Sequence, residues 1–120
     1  MKVAVTSQGQ DMKSPVDPRF GRAKFFMVVD AESGVFAAHD NAQNLNAAQG
    51  AGIQAAQKVI ELDMEAVVTG NVGPKAFSAL QAGDIKVYIG ATGSVEDALA
   101  QFNAGQLERV TEANVEGHWS

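Results

Sequence analysis

The chain has no cysteine, which excludes disulfides, zinc-thiolate centres and cysteine-ligated iron-sulfur clusters unless a partner supplies the sulfur. It has only two histidines. His118 falls in an unpatterned tail, and His39, beside Asp40 at a strand end, reads first as a partly exposed polar residue and only second as a metal ligand. No Gly-x-Ser-x-Gly elbow is present, and the first apolar segment, residues 2–7, carries no carboxylate, so the acidic cluster of a two-metal nuclease is missing. Basic residues are scarce, nine against fourteen acidic, and the net charge of -5 argues against generic affinity for nucleic acid or anionic membranes. The N-terminus Met1-Lys2-Val3-Ala4-Val5-Thr6 lacks the apolar core of a signal peptide, and no apolar run approaches membrane-spanning length. The expected location is therefore cytoplasmic. Met12, Met27 and Met64 could offer thioethers but read as packing residues.

What remains is enough for one core, since 120 residues at 46% hydrophobic composition match an ordinary domain. Residues 2–7 alternate around Val3 and Val5, while 24–30 and 34–40 flank Ala31-Glu32-Ser33, a connection short enough for a hairpin. Three mostly antiparallel strands are expected. Residues 8–22 carry Gly9, Pro15, Pro18 and Gly21, which forbids regular structure and makes a long connection. After a polar stretch over 41–49, Ile53, Ala56, Val59 and Ile60 recur at helical spacing within 50–62. Ala66-Val67-Val68-Thr69 is a short strand, and Gly73-Pro74 opens a helix with Phe77 and Leu80 inward and Gly83 at its end. Residues 85–89 form another strand. Ser94 with Asp97 caps a helix carrying Val95, Ala98, Leu99 and Phe102 until Gly105.

Antiparallel hairpins followed by strand-helix alternation with right-handed crossovers give an α/β fold, a ribonuclease-H-like mixed five-stranded sheet with three helices. A flavodoxin-like sheet is the alternative, disfavoured because no helix is readable between the first three strands. Leu107 and Val110 suit an added short strand. The single domain is expected over residues 1–112, with a loose tail over 113–120.

Ligands of open α/β sheets gather beyond the carboxyl ends of parallel strands, where this chain has glycine-rich turns. Ser7-Gln8-Gly9 follows the first strand, and Thr69-Gly70-Asn71-Val72-Gly73 and Gly90-Ala91-Thr92-Gly93-Ser94 each lead from a strand into a helix. Such turns offer unpaired N–H groups at the positive end of a helix, and glycine lets the backbone approach a ligand. Any α/β protein also needs tight turns here, and neither string matches a Walker A or dinucleotide pattern. Gly50-Ala51-Gly52 supplies a third set of N–H groups, with Asn44, Asn46 and Gln49 as neutral donors before it. Over residues 11–24, Lys13, Arg19, Arg22 and Lys24 stand against Asp11 and Asp17, so this stretch is +2 while the other five basic and twelve acidic residues give -7. Those charges suit either a solvated loop or an anion dock. Phe20, between two arginines, suits equally an exposed apolar contact for a ligand and an anchor tying the loop to the core. The candidate ligand-binding residues are Arg19, Phe20, Gly21, Arg22, Lys24, Gln49, Gly50, Gly52, Gly70, Asn71, Gly73, Gly90, Thr92 and Gly93. The expected role is binding rather than catalysis. A protein-interaction or regulatory module using the same rim is the alternative, and a hydrolase or nuclease lacks its acid or nucleophile set.

Four strings in order carry a family resemblance: Asp17-Pro18-Arg19-Phe20-Gly21-Arg22 with Phe25-Phe26, Gly50-Ala51-Gly52-Ile53-Gln54-Ala55-Ala56, Val68-Thr69-Gly70-Asn71-Val72-Gly73-Pro74-Lys75-Ala76-Phe77, and Ile85-Lys86-Val87-Tyr88. Over about residues 1–102 the chain resembles the dinitrogenase iron-molybdenum cofactor biosynthesis family, accessory proteins that bind the nitrogenase cofactor or its precursors. Within it, the chain is most similar to the short stand-alone members of the orange-protein type, which hold a molybdenum-copper sulfide cluster non-covalently. The resemblance implies a ribonuclease-H-like fold and, as cargo, an anionic metal-sulfide cluster of molybdenum-copper or iron-molybdenum type. Arginine and lysine would be its counter-ions, backbone N–H groups its donors and Phe20 an apolar wall. Many relatives carry a histidine just before the glycine pair of the first helix, where this chain has Gln49, so non-covalent retention is expected in place of imidazole ligation. Relatives lie beside partitioning-type ATPases in many genomes, which makes such an ATPase, or a protein that receives the cluster, a candidate partner.

Overall fold

The computed structural model describes residues 1–41 and 51–110. The first strand, β1 (Lys2–Ser7), is buried on both sides: Ala4 and Thr6 point to one face, Val3 and Val5 to the other, and all are inaccessible to solvent. That two-sided apolar pattern belongs at the centre of a sheet. β1 pairs antiparallel with β2 (Phe25–Asp30) and parallel with β4 (Ala66–Val68). β2 in turn pairs antiparallel with β3 (Phe36–Asp40), and β5 (Lys86–Ile89) lies parallel to β4. The antiparallel run of the first three strands rules out the flavodoxin-like alternative.

Among the described residues the sheet is mixed, as expected, but has six strands in the order β3-β2-β1-β4-β5-β6 where five were expected. The sixth, β6 (Glu108–Val110), runs antiparallel to β5. Gly105, at φ +72°, turns the chain after the last helix, and Val110 then buries its side chain in the core.

Helices cover both faces. On one, α1 (Ala51–Glu61) and α2 (Pro74–Ala82) enclose Phe26, Val67, Phe77, Leu80 and Val87. On the other, α3 (Val95–Asn103) packs Val95 and Ala98 on Val3, Val5, Met27 and Val68. Helix α1 turns Ala55, Ala56 and Val59 inward and leaves Ile53 and Ile60 at 36% and 38% exposure. Small residues on its inner face bring α1 close to its neighbour: a Cβ on Gly52 would lie 3.1 Å from that of Ala76. The capping box expected at α3 forms, with Ser94 Oγ accepting the Asp97 N–H and Asp97 Oδ2 accepting the Ser94 N–H. No helix among the described residues is long and apolar enough to cross a membrane.

Candidate functional site

Because β1, β4 and β5 are parallel, their carboxyl ends share one rim, joined there by the start of β2, where Ser7 lies opposite Phe25. The long connection after β1 is laid across this rim and fastened to it. Gln8 N–H donates to Pro15 O at 2.9 Å, Val16 N–H to Gly93 O at 2.9 Å and Asp17 N–H to Thr6 O at 3.0 Å. Thr6 Oγ1 donates to Asp17 O at 2.7 Å and lies 2.9 Å from Thr69 Oγ1. A hydroxyl has one proton, so Thr69 is the donor in the second bond. Thr6 and Thr69 are fully buried, and these bonds tie the ends of two central strands to the loop.

The second half of the connection meets the turn after β4. Asn71 N–H donates to Pro18 O at 2.9 Å, and Arg19 forms a parallel bridge with Asn71. Gly70 makes this approach possible, since a Cβ there would stand 2.6 Å from Pro18 Cα and 2.7 Å from Pro18 O. A 3₁₀ turn over Phe20–Arg22 follows and packs on α1. Arg19 extends outward from it, its side chain 66% exposed.

The two strand-to-helix turns have opposite fates. At α2 the N-cap is Gly73, which offers no side-chain oxygen, and Pro74 lacks an N–H. Among the described residues no acceptor meets the N–H of Lys75 or Ala76. Gly52 on the first turn of α1 touches Ala76, so the amino ends of α1 and α2 lie together beside Arg19 and Asn71. At α3 the donors are taken: Val95 N–H by Ser14 O at 2.9 Å, Glu96 N–H by Met12 O at 2.9 Å and Asp97 N–H by Ser94 Oγ at 3.1 Å. Gly90 and Ala91 donate to Gly70 O and Thr69 O, and Thr92 N–H to Gln101 Oε1.

The family pattern described as dinitrogenase iron-molybdenum cofactor matches residues 1–105. The chain belongs to that family. The apo form of the orange protein from Desulfovibrio gigas superposes with a TM-score of 0.88 at 42% identity, covering 91% of this chain and 92% of that one. A Thermotoga protein provisionally assigned as NifB superposes at 0.81 with 36% identity, covering 97% and 98%. An uncharacterized protein of Methanocaldococcus jannaschii is 31% identical over 96 residues, 78% of this chain and 81% of its own length.

Within this family fold the candidate residues divide. Arg19, Gly70, Asn71 and Gly73 meet at the turn that opens α2, Gly52 touches Ala76 on its first turn, and Gly21 and Arg22 lie on the 3₁₀ turn packed on α1. Lys24, exposed, stands where β2 begins on the same rim, and its carbonyl accepts the Asn41 N–H. Gln49, Gly50, Asn44 and Asn46 lie outside the described residues. Phe20 is corrected: at 2% exposure, with its ring 5.7 Å from that of Phe26, it anchors the loop in the core and forms no wall for a ligand. Gly90 and Thr92 are corrected as donors, because their N–H groups are taken by Gly70 O and Gln101 Oε1; Gly93 lies in the same turn, where its carbonyl accepts the Val16 N–H. Gly90 and Gly93 have backbone reasons of their own, at φ +89° and +83°. Lys13 leaves the cationic group too, paired 2.7 Å from Glu96. That hydrogen bond and the attraction of the Glu96 carboxylate raise its pKa. His39 sits opposite Phe26 in the edge strand β3, and the described residues contain no group of three metal-ligating side chains.

Lys75 was not singled out as a site residue, although it is exposed on the first turn of α2. A cation there opposes the helix dipole, a strain that an anion bound at the helix end would relieve. Thr6, Asp17 and Thr69 were also missed, because hydrogen bonds across eleven and sixty-three residues leave no local pattern.

Proposed function

We propose that this protein binds and carries an anionic molybdenum-containing metal-sulfide cluster, of molybdenum-copper or iron-molybdenum type, and transforms nothing. The observation that carries the reading is the N–H pair of Lys75 and Ala76, which no acceptor meets among the described residues, opening the helix that follows Asn71, whose backbone bridges to Arg19, a residue with an exposed guanidinium. A cluster brings its own sulfide and its own negative charge, so a cysteine-free chain can hold it with N–H donors and cations alone. Membership of the dinitrogenase iron-molybdenum cofactor family and the 42% identity to the orange protein support the same cargo. In this reading the protein acts in the cytoplasm and passes its cargo to a recipient protein.

The test mixes the purified protein with tetrathiomolybdate, with and without copper(I), then desalts it and reads the visible spectrum and metal content. A retained colour with fixed metal stoichiometry is expected. Arg19→Ala should weaken retention about fivefold, the equivalent of about 1 kcal/mol for a solvent-screened charged contact, with the melting temperature unchanged. Protein that stays colourless in every mixture but captures one partner reproducibly would support the alternative, an interaction module without a cluster.

A further inference from the structure

Asp17 sits oddly at an anion site. Its side chain is 4% exposed and has the charge of the expected ligand. Its atoms are nevertheless held on three sides: the N–H donates to Thr6 O at 3.0 Å, the carbonyl accepts Thr6 Oγ1 at 2.7 Å, and Oδ1 accepts the Arg19 N–H at 3.0 Å. The same Oδ1 stands 3.6 Å from Arg19 Nε. Thr6 is itself fixed at the end of the central strand and receives a hydrogen bond from Thr69.

A guanidinium presents its five N–H groups in one rigid plane, so the edge that faces one carboxylate decides where the other edge points. With Nε 3.6 Å from Oδ1 of the buried Asp17, one terminal nitrogen shares the Nε edge, and the edge made by the two terminal nitrogens faces a different direction, on a side chain that is 66% exposed. We propose that Asp17, braced by Thr6, is a positioning residue that aims the outer edge of Arg19 at the anion beside the Asn71 turn, an inference that rests on the ligand reading above. Asp17 does not touch the ligand; it trades a local negative charge for a fixed direction of the nearest positive one.

Four variants separate this role from simple scaffolding. Asp17→Asn keeps an oxygen acceptor for Arg19 and deletes the charge, whereas Asp17→Ala deletes both. Asp17→Ser still caps the Arg19 N–H through a shorter side chain but falls short of Nε, and it takes the place of the alanine variant should that one not fold. Thr6→Ser keeps the bracing hydroxyl. The first readout needs no ligand: nitrogen-15 relaxation of Arg19 Nε, with exposed Arg109 as the mobile reference. Arg19 Nε should be ordered in the parent, in Asp17→Asn and in Thr6→Ser, and as mobile as Arg109 in Asp17→Ala and Asp17→Ser. The second is molybdenum retained from tetrathiomolybdate after desalting, expected to fall about fivefold in Asp17→Ala, as for a lost screened contact, and to equal or exceed the parent in Asp17→Asn. An Arg19 Nε as mobile as Arg109 in the parent, or an Asp17→Asn variant as poor as Asp17→Ala, overturns the proposal. A parent that shows the Nε contrast yet retains no molybdenum overturns the ligand reading and leaves the orientation of Arg19 by Asp17 supported.

Discussion

Replacing Phe20 tests whether the cationic loop is held by the core or by its ligand. The ring is 2% exposed, tilted 44° against Phe26 at 5.7 Å, and belongs to the same core as Val59, Val72 and Phe77. Truncating such a ring to alanine costs about 3–5 kcal/mol through lost transfer energy and a residual cavity. Unfolding entropy near the transition is about 2.1 cal/mol/K per residue, which for 120 residues gives about 0.25 kcal/mol per degree. Phe20→Ala should therefore lower the melting temperature of the ligand-free protein by about 12–20 °C in a calorimetric or circular-dichroism scan. Phe20→Leu keeps most of the volume and should cost less than about 1.5 kcal/mol, or about 6 °C. Because the ring does not face a ligand, the leucine variant should also retain thiomolybdate like the parent. An alanine variant that melts within about 4 °C of the parent would refute the anchoring argument, and a leucine variant of normal stability that releases its ligand would restore Phe20 as a contact wall.

Gly70→Ala should drive the turn after β4 away from Pro18, because the added methyl would lie 2.6–2.8 Å from three Pro18 atoms, two of them backbone. A cost of about 1–3 kcal/mol is expected from such overpacking, measured as a lower denaturant midpoint, together with weaker anion retention. Acid should destabilise the fold at two solvent-accessible aspartates. Hydrogen bonds from Ser94 hold the Asp97 carboxyl below its ordinary 3.8, and the N–H groups of Ser33 and Glu32 do the same for Asp30. Lowered folded-state values mean that both contributions are complete above pH 3.8 and vanish as pH falls through the lower folded values, so urea midpoints should hold near neutrality and drop below that point. Asp97→Asn should flatten part of that drop, and an unchanged slope would refute the role of the capping box in it.

Where structure follows from neighbours in sequence, it was legible. The alternation of Val3 and Val5 bounded β1 at the residues observed, and Ser94 with Asp97 marked the start of α3. The short segment at Glu108–Val110 was readable only as an option, because a three-residue edge strand is decided by its partner β5. In α1 the helical spacing was right, but which face turns inward was not evident. Ile53 and Ile60 are the larger side chains, yet Ala55, Ala56 and Val59 are the buried ones, and Gly52 meets Ala76 of α2 where a Cβ would stand 3.1 Å away. The cationic loop was legible by composition and not by geometry. Lys13 and Arg19 are six positions apart, and only the path of the chain shows that Lys13 pairs with Glu96 on α3 while Arg19 bridges to Asn71 in the turn before α2.

The same path explains why two turns of equivalent local chemistry end with different functions. Both follow parallel strands, both contain glycine, and both open a helix. One connection, residues 8–22, meets each of them in turn. Its first half enters the α3 layer, buries Val16 there, and spends the carbonyls of Met12 and Ser14 on the first N–H groups of α3. Its second half crosses at Asp17 to the opposite layer, buries Phe20, bridges Arg19 to Asn71 and leaves the first N–H groups of α2 without an acceptor among the described residues. Glycine-rich turns are therefore necessary for the candidate site but do not choose it. The choice lies in which turn the loop fills with oxygen and which it borders with positive charge, and Thr6, reaching Asp17 at the crossover, holds the two halves to their opposite tasks.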